Sequence, residues 1–360
     1  MRILLSSHGA SPFGAERVLL ALAAGLRERG HDVTLEIPHD GPALAAARQL
    51  ERVRVWHSWR PRLPRSAWEG VRYLAGGVRA VARLSARIRR DRYELVWANS
   101  LFNPLAVAAA RLAGVPCVWH IHERNWRGPL APIGRALVGN GSATAVAVSG
   151  FVARTFAGED GGSGPAVLHN AELRGLAPLP PPATEPFVFG YVGQLEPRKR
   201  VPDLLAALGR LPDDVRLIVV GDGKRRGAVA REIDTRGLAG RVEMVGFQED
   251  LARWLAPMSC VVLPSRDEPF SLVALEAMAS GRAVIAADHG AHREVLGDAA
   301  LYYPVGDIGT LADRVERLRR DGTLPTELRA NGLARAARFT RQRWLDGAER
   351  IASATARGEP

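Results

Sequence analysis

The sequence predicts an α/β protein of two doubly wound domains, and three observations predict it. Short apolar runs alternate with amphipathic helical patterns along the 360-residue chain, a proline-rich stretch interrupts that alternation near the middle, and the alternation then restarts. In the first half, Arg2–Ser6 reads as a strand. Residues 16–29 read as a helix whose Val18, Leu19, Leu22 and Leu26 recur at helical spacing, and Gly30 stops it. Residues 33–37, 95–98, 117–121 and 145–148 read as further strands. Residues 175–186 carry five prolines in twelve positions, which forbids a helix or central strand and predicts a stiff linker. Beyond it, residues 187–192, 216–220, 241–245, 260–263 and 283–286 read as strands and 201–208 as a helix. The predicted domains are therefore 1–174 and 187–340, followed by an amphipathic segment with Trp344, Leu345 and Ile351. Parallel sheets of this kind bind ligands beyond the carboxyl ends of their strands, so the loops there are where chemistry is expected.

Composition narrows the function classes. Apolar residues make up 47% of the chain, enough for two buried cores and too many for a disordered chain. Cys117 and Cys260 each lie in an apolar run and read as buried thiols, since two cysteines make no zinc site of the usual spacing. The apolar run at the N-terminus is too short for a signal peptide and reads as a first strand, which predicts a cytoplasmic protein. The formal net charge of +11 is compatible with nucleic acid, an anionic membrane surface or an anionic substrate. It is carried almost wholly by arginine, with Lys199 and Lys224 the only lysines, and no nucleic-acid-binding motif accompanies it.

Four strand-end motifs carry candidate chemistry. The run from Ser265 to Gly281 follows strand 260–263 and turns helical from Leu272, with Glu268 in the loop and Glu276 on the helix. Free amides at a helix start suit phosphate, while carboxylates are pure acceptors and suit sugar hydroxyls. A phosphate flanked by hydroxyl-rich groups describes a nucleotide sugar. The second motif, Tyr191-Val192-Gly193-Gln194-Leu195-Glu196-Pro197-Arg198-Lys199-Arg200, places a cationic cluster at the start of a helix, where an anion is favoured. The third, from Gly9 to Glu16, is a small-residue loop leading into a helix and lacks the dinucleotide fingerprint G-x-G-x-x-G. The fourth, Val118-Trp119-His120-Ile121-His122-Glu123, puts two histidines on one strand face with no third metal ligand at matching spacing.

Taken together, these motifs resemble retaining glycosyltransferases of the GT-B fold, specifically family 4 (glycosyl transferases group 1). The resemblance rests on Glu268 and Glu276, the following Ala277-Met278-Ala279-Ser280-Gly281, the flanking Pro264-Ser265 and Ala283-Val284-Ile285-Ala286, and Gly221-Asp222-Gly223. It implies two Rossmann-like domains with parallel sheets facing across a cleft, and a C-terminal helix at about 341–357 that packs back on the first domain. It implies a metal-independent enzyme that moves a hexose-type sugar to a hydroxyl acceptor, with no cofactor and a UDP-sugar ahead of a GDP-sugar as donor. Another enzyme of the same fold, such as a nucleotide-sugar epimerase, and a basic nucleic-acid-binding protein are the alternative readings.

At matching positions the resemblance implies that Glu268 holds the donor hexose and Glu276 the ribose. Phe270 and the amides of Ser271, Leu272 and Val273 would line the diphosphate. Lys199 would bind phosphate, Gly14 would belong to a phosphate loop, and His122 would contact the donor sugar. Gln194 stands where the family usually has arginine, leaving Arg198 or Arg200 as the second cation. Arg200 stands where glycine is usual, and Phe13 replaces the first of two usual loop glycines. Residues 66–92 read as a long helix with a stripe of Arg72, Arg79, Arg83, Arg87 and Arg90, suited to peripheral contact with an anionic membrane and a lipid-linked acceptor. Gly76-Gly77 in its middle argues against an unbroken helix.

Overall fold

The computed structural model describes residues 1–10, 14–50, 54–57, 67–125, 131–157 and 164–359. The chain divides into two compact units, residues 1–173 with 341–360, and residues 174–340.

The first unit is a seven-stranded sheet. Its elements run β1 (Arg2–Ser6), α1 (Gly14–Glu28), β2 (Asp32–Ile37), α2 (Pro42–Arg48), β3 (Arg54–His57), α3 (Ala67–Arg90), β4 (Leu95–Asn99), α4 (Pro104–Ala113), β5 (Cys117–Ile121), α5 (Ala131–Gly139), β6 (Thr144–Ala147), α6 (Gly150–Ala153) and β7 (Ala166–Val167). The strand order is β3-β2-β1-β4-β5-β6-β7, and every pairing is parallel. Ile3 pairs with Val33 on one side and Leu95 on the other. Helices cover both faces, which is why Ile3, Leu4, Leu5, Val96 and Trp97 form near-continuous apolar runs with no exposure. The order reverses at β1, so the carboxyl ends of β1 and β4 form the crevice where such sheets bind ligands. Helix α3 is unbroken through Gly76-Gly77, and Gly77 faces Leu105 of α4. Packing on α4 outweighs the roughly 1 kcal/mol that each glycine costs a helix. The stripe residue Arg72 lies outside the described side chains.

The second unit begins at Arg174. It runs β8 (Val188–Val192), α7 (Val201–Leu208), β9 (Arg216–Val220), α8 (Arg226–Thr235), β10 (Val242–Gly246), α9 (Leu251–Leu255), β11 (Cys260–Leu263), α10 (Leu272–Ala279), β12 (Ala283–Ala287), α11 (Gly290–Leu296), β13 (Leu301–Tyr303), α12 (Ile308–Arg320) and α13 (Leu324–Ala336). Its sheet is parallel, ordered β10-β9-β8-β11-β12-β13, with the reversal at β8. Phe189, Leu204, Leu205, Leu217, Val262 and Ile285 anchor its core. The proline-rich stretch lies along this unit. The Leu179 amide donates to the Ser280 carbonyl at 3.0 Å, and Arg329 and Arg282 donate to the carbonyls of Leu179 and Pro180.

Helix α14 (Arg341–Arg357) returns to the first unit. Trp344, Leu345, Ala348 and Ala352 are buried. Leu345 fills the space that a side chain at Gly25 of α1 would need. Arg29 pairs with Asp346 at 2.5 Å and with Glu349 at 2.7 Å. Cys117 and Cys260 are buried free thiols, and burial pushes the Cys117 thiol up to about 12, so neither is poised to react. No helix among the described residues is long and apolar enough to cross a membrane.

Candidate functional site

In the second unit, the loops after β8 and β11 bring two predicted residues into contact. The chain leaves β8 through Gly193-Gln194-Leu195 and makes a single 3-10 turn, Pro197–Lys199. The Lys199 ammonium meets Glu268, in the loop after β11, at 2.5 Å. Arg198 from the same turn stands 3.9 Å from the other Glu268 oxygen. Burial alone would raise the Glu268 carboxyl, but the charges of Lys199 and Arg198 and the lysine's hydrogen bond outweigh it and hold the pKa below its usual value. Glu268 is therefore an ionised acceptor at neutral pH. Arg200 is turned away, bonded in a fork to Asp203 at 2.6 and 3.1 Å. Its φ of +52° is left-handed, which gives a physical reason for the glycine that the family resemblance places there. Of the two arginines left open by Gln194, Arg198 is the one brought to Glu268. Gln194 itself lends its carbonyl to the Tyr191 hydroxyl at 2.7 Å.

The glycines around this turn permit a close backbone approach. A Cβ on Gly221 would lie 1.9 Å from the Gly193 carbonyl oxygen, and Gly221 has φ +139°. The Leu195 amide donates to the Asp222 carbonyl at 2.9 Å, so the loops after β8 and β9 run against each other.

Ser271 caps α10, its hydroxyl accepting from the Ala274 amide at 3.2 Å. The amides of Leu272 and Val273 precede the first bond within the helix and are the donors an anion would meet there. Phe270 is buried edge-on against Phe339, with ring centroids 6.2 Å apart. Glu276 is 2% exposed, and Arg174 donates to it at 3.0 Å. His292 of α11 adjoins the site. Burial lowers its pKa to about 3, the largest influence, and the neighbouring His289 adds to this. Its Nδ1 faces the Ala287 carbonyl at 2.8 Å, and a carbonyl only accepts, so Nδ1 carries the proton.

In the first unit, Gly14 opens α1 and is exposed, while Ser11, Pro12 and Phe13 lie outside the described residues. Nothing would obstruct a side chain at Gly14. His122 follows β5 and meets Asn99 of β4 at 2.8 Å. The Asn99 amide nitrogen donates to the Ala15 carbonyl at 3.2 Å, so its oxygen faces His122, and the His122 Nε2 is the donor. Burial, with His120 and His8 nearby, holds His122 well below its usual pKa, so the ring is neutral and its Nδ1 is an acceptor. His120 is fully buried, without a hydrogen-bond partner, 4.3 Å from the His122 ring and edge-on to Trp97. Glu123 grips the loop after β4, accepting from the Ser100 hydroxyl at 2.6 Å and the Leu101 amide at 2.8 Å. Ser100 there has φ +81°. No group of three or more His, Cys, Asp or Glu side chains among the described residues is placed to hold a metal ion.

Sequence reasoning did not single out Asn99, Arg174 or His292. Asn99 is the polar end of an otherwise apolar strand, the one signal that pointed to it. Arg174 lies 102 positions from Glu276 at the domain boundary, where no local pattern marks it.

Residues 186–321 match the family model of glycosyl transferases group 1, and residues 13–171 match that of the glycosyl transferase 4-like domain. The lipopolysaccharide core biosynthesis glycosyltransferase LpsE of Rhizobium meliloti is 32% identical over 158 residues, 43% of this chain and 46% of that protein. A D-inositol 3-phosphate glycosyltransferase of a Mycobacterium species is 33% identical over 162 residues, 42% of this chain and 36% of that one. The matched stretch thus spans less than half the length of each relative. Among solved structures, Anabaena HepE in complex with UDP and glucose superposes with a TM-score of 0.83 at 22% identity, covering 98% of this chain and 99% of that one. Sucrose-phosphate synthase of Thermosynechococcus elongatus does so with a TM-score of 0.78 at 18% identity, covering 98% of both. With both of its units matched in this way, on two parallel Rossmann-like sheets of the GT-B fold, the chain belongs to the group 1, family 4 glycosyltransferases.

Proposed function

We propose that this chain is a retaining, metal-independent glycosyltransferase that moves a hexose-type sugar from a nucleoside-diphosphate sugar, UDP-linked ahead of GDP-linked, to a hydroxyl acceptor. The observation that carries this is the Lys199–Glu268 contact beside the amides of Leu272 and Val273, with Glu276 farther along the same helix. Breaking the anomeric C–O bond leaves negative charge on the departing diphosphate and positive character on the sugar. Lys199, Arg198 and the helix-start amides are fixed donors for that diphosphate and need no rearrangement as charge develops. Glu268, ionised and gripped by Lys199, accepts hexose hydroxyls and orients the ring. Glu276 accepts ribose hydroxyls. In the first unit the neutral His122 presents its Nδ1 as an acceptor for a sugar hydroxyl. The acceptor oxygen enters from the leaving-group side as its hydroxyl proton passes to an oxygen of the departing diphosphate, keeping the anomeric configuration. The relatives' names support acceptors in envelope glycans, glycolipids or glycosylated metabolites, since LpsE acts in lipopolysaccharide core biosynthesis. HepE, which was crystallised with UDP and with UDP-glucose, supports the donor class.

The test is release of nucleoside diphosphate from a panel of UDP- and GDP-hexoses, with the anomeric configuration of the product read by NMR. Lys199→Ala and Glu268→Ala should each lower kcat/KM by roughly 100-fold or more, the usual weight of one preorganised stabilising group. Near-wild-type turnover in either variant overturns the assignment. EDTA should leave turnover unchanged, and loss restored by a divalent ion refutes metal independence.

A further inference from the structure

Glu276 does not reach its position unaided. Its carboxylate is 2% exposed on α10, and the Arg174 Nε donates to it at 3.0 Å. The same guanidinium donates through Nη1 to the Glu249 carbonyl at 2.8 Å, in the loop after β10. One planar fork thus ties the first residue of the second unit to the helix carrying Glu276 and to the loop after the edge strand β10. The segment that bears Arg174 is itself anchored. Gly175, with φ +68°, turns the chain. Leu179 is held by Ser280 and Arg329 at 3.0 and 2.7 Å.

We infer that Arg174 is the positioning residue for the donor's ribose, fixing the Glu276 carboxylate in the orientation that accepts the ribose hydroxyls. This rests on the nucleotide-sugar reading above and adds to it the group that orients one of its ligands. A glutamate side chain has three rotatable bonds, and holding it still for a hydroxyl costs conformational entropy at each binding event. A guanidinium fork fixes two hydrogen-bond directions at once and meets that cost in advance. A carboxylate offers about four acceptor sites, more than the single arginine donor occupies. Lysine at 174 would keep the charge but lose the fixed plane.

The experiment is calorimetric titration with UDP and 2′-deoxy-UDP, and with GDP and 2′-deoxy-GDP, on wild type, Arg174→Met and Arg174→Lys, with melting temperatures as the folding control. Wild type should bind the tighter ribonucleotide roughly tenfold or more better than its 2′-deoxy form, the weight of one hydrogen bond to a charged group. Arg174→Met should lose most of that ratio by weakening ribonucleotide binding while leaving the deoxy form near its wild-type affinity. In a Glu276→Gln background the same substitution should leave the ratio unchanged. A purely structural ion pair predicts a lower melting temperature with the ratio intact, and that result overturns the proposal. If Arg174→Met fails to fold, Arg174→Lys decides, and a wild-type ratio there overturns it. If wild type binds a ribonucleotide without discriminating, Arg174 positions no ribose ligand and the proposal falls alone. If wild type binds neither ribonucleotide, the nucleotide-sugar reading falls first and takes the proposal with it.

Discussion

Lys199, Arg198 and Arg200 are consecutive cations with different surroundings, and the backbone decides which of them serve Glu268. The 3-10 turn points Lys199 and Arg198 at the carboxylate, while the left-handed φ of +52° at Arg200 sends its side chain to Asp203. Arg198→Ala is therefore expected to weaken UDP binding by about tenfold, near the 1.5 kcal/mol of a modest charge-assisted contact. Arg200→Ala should leave binding within about twofold. Calorimetric titration checks both, and the reverse order would show that Arg200 is the substitute cation. Stability separates two variants at Arg200. Both Arg200→Ala and Arg200→Gly lose the Asp203 pair, but only alanine keeps the left-handed strain. Glycine should be the more stable by about 1 kcal/mol in urea unfolding.

Helix α10 carries Glu276 and the outward amides on which the proposed donor site rests. Its cap, Ser271, satisfies the Ala274 amide and leaves the first two amides outward. Ser271→Ala should cost about 1 kcal/mol of stability by urea denaturation, since a lost cap uncovers one amide and no more. An unchanged midpoint would mean the cap bond contributes nothing. The bounds of this helix were legible in the sequence because Ser271 precedes an unbroken run of good helix formers and Gly281 follows it. The strands at the sheet centres were legible too, since burial on both faces makes them uninterrupted apolar runs. Strands β3, β7 and β13 were not. They lie at the sheet edges and span 4, 2 and 3 residues, too short to show a period. The site residues within one loop were readable by spacing. Arg174–Glu276 and His122–Asn99 join residues far apart in sequence; the β4–β5 pairing brings the second pair together, and the path of the chain past α10 the first. The proline-rich stretch read correctly as neither helix nor strand, but its hydrogen bonds to α13 and to the loop after α10 had no local signature.

At the scale of the whole molecule, buried neutral histidines govern acid stability. Burial lowers His120 to about 3, and lowers His292 to about 3 with help from His289. Above the unfolded value of about 6.5, neither the folded nor the unfolded chain holds a proton on these rings. Between 6.5 and 3 the unfolded chain binds protons that the folded chain refuses, so stability falls with pH by about 1.4 kcal/mol per unit for each histidine. His122, also lowered by burial, acts in the same direction. Urea midpoints between pH 7 and 5 should drop steeply in wild type, and less so in His120→Phe, which keeps an aromatic ring against Trp97. Equal slopes would show that His120 already binds a proton when folded. The second unit's claim on a nucleotide-sugar donor is tested most directly by titrating UDP into wild type and Lys199→Ala. Saturable one-site binding in wild type, weakened at least about tenfold in Lys199→Ala, is the predicted result. Equal affinity in the two proteins, or no saturable binding of UDP or GDP by wild type, would contradict it.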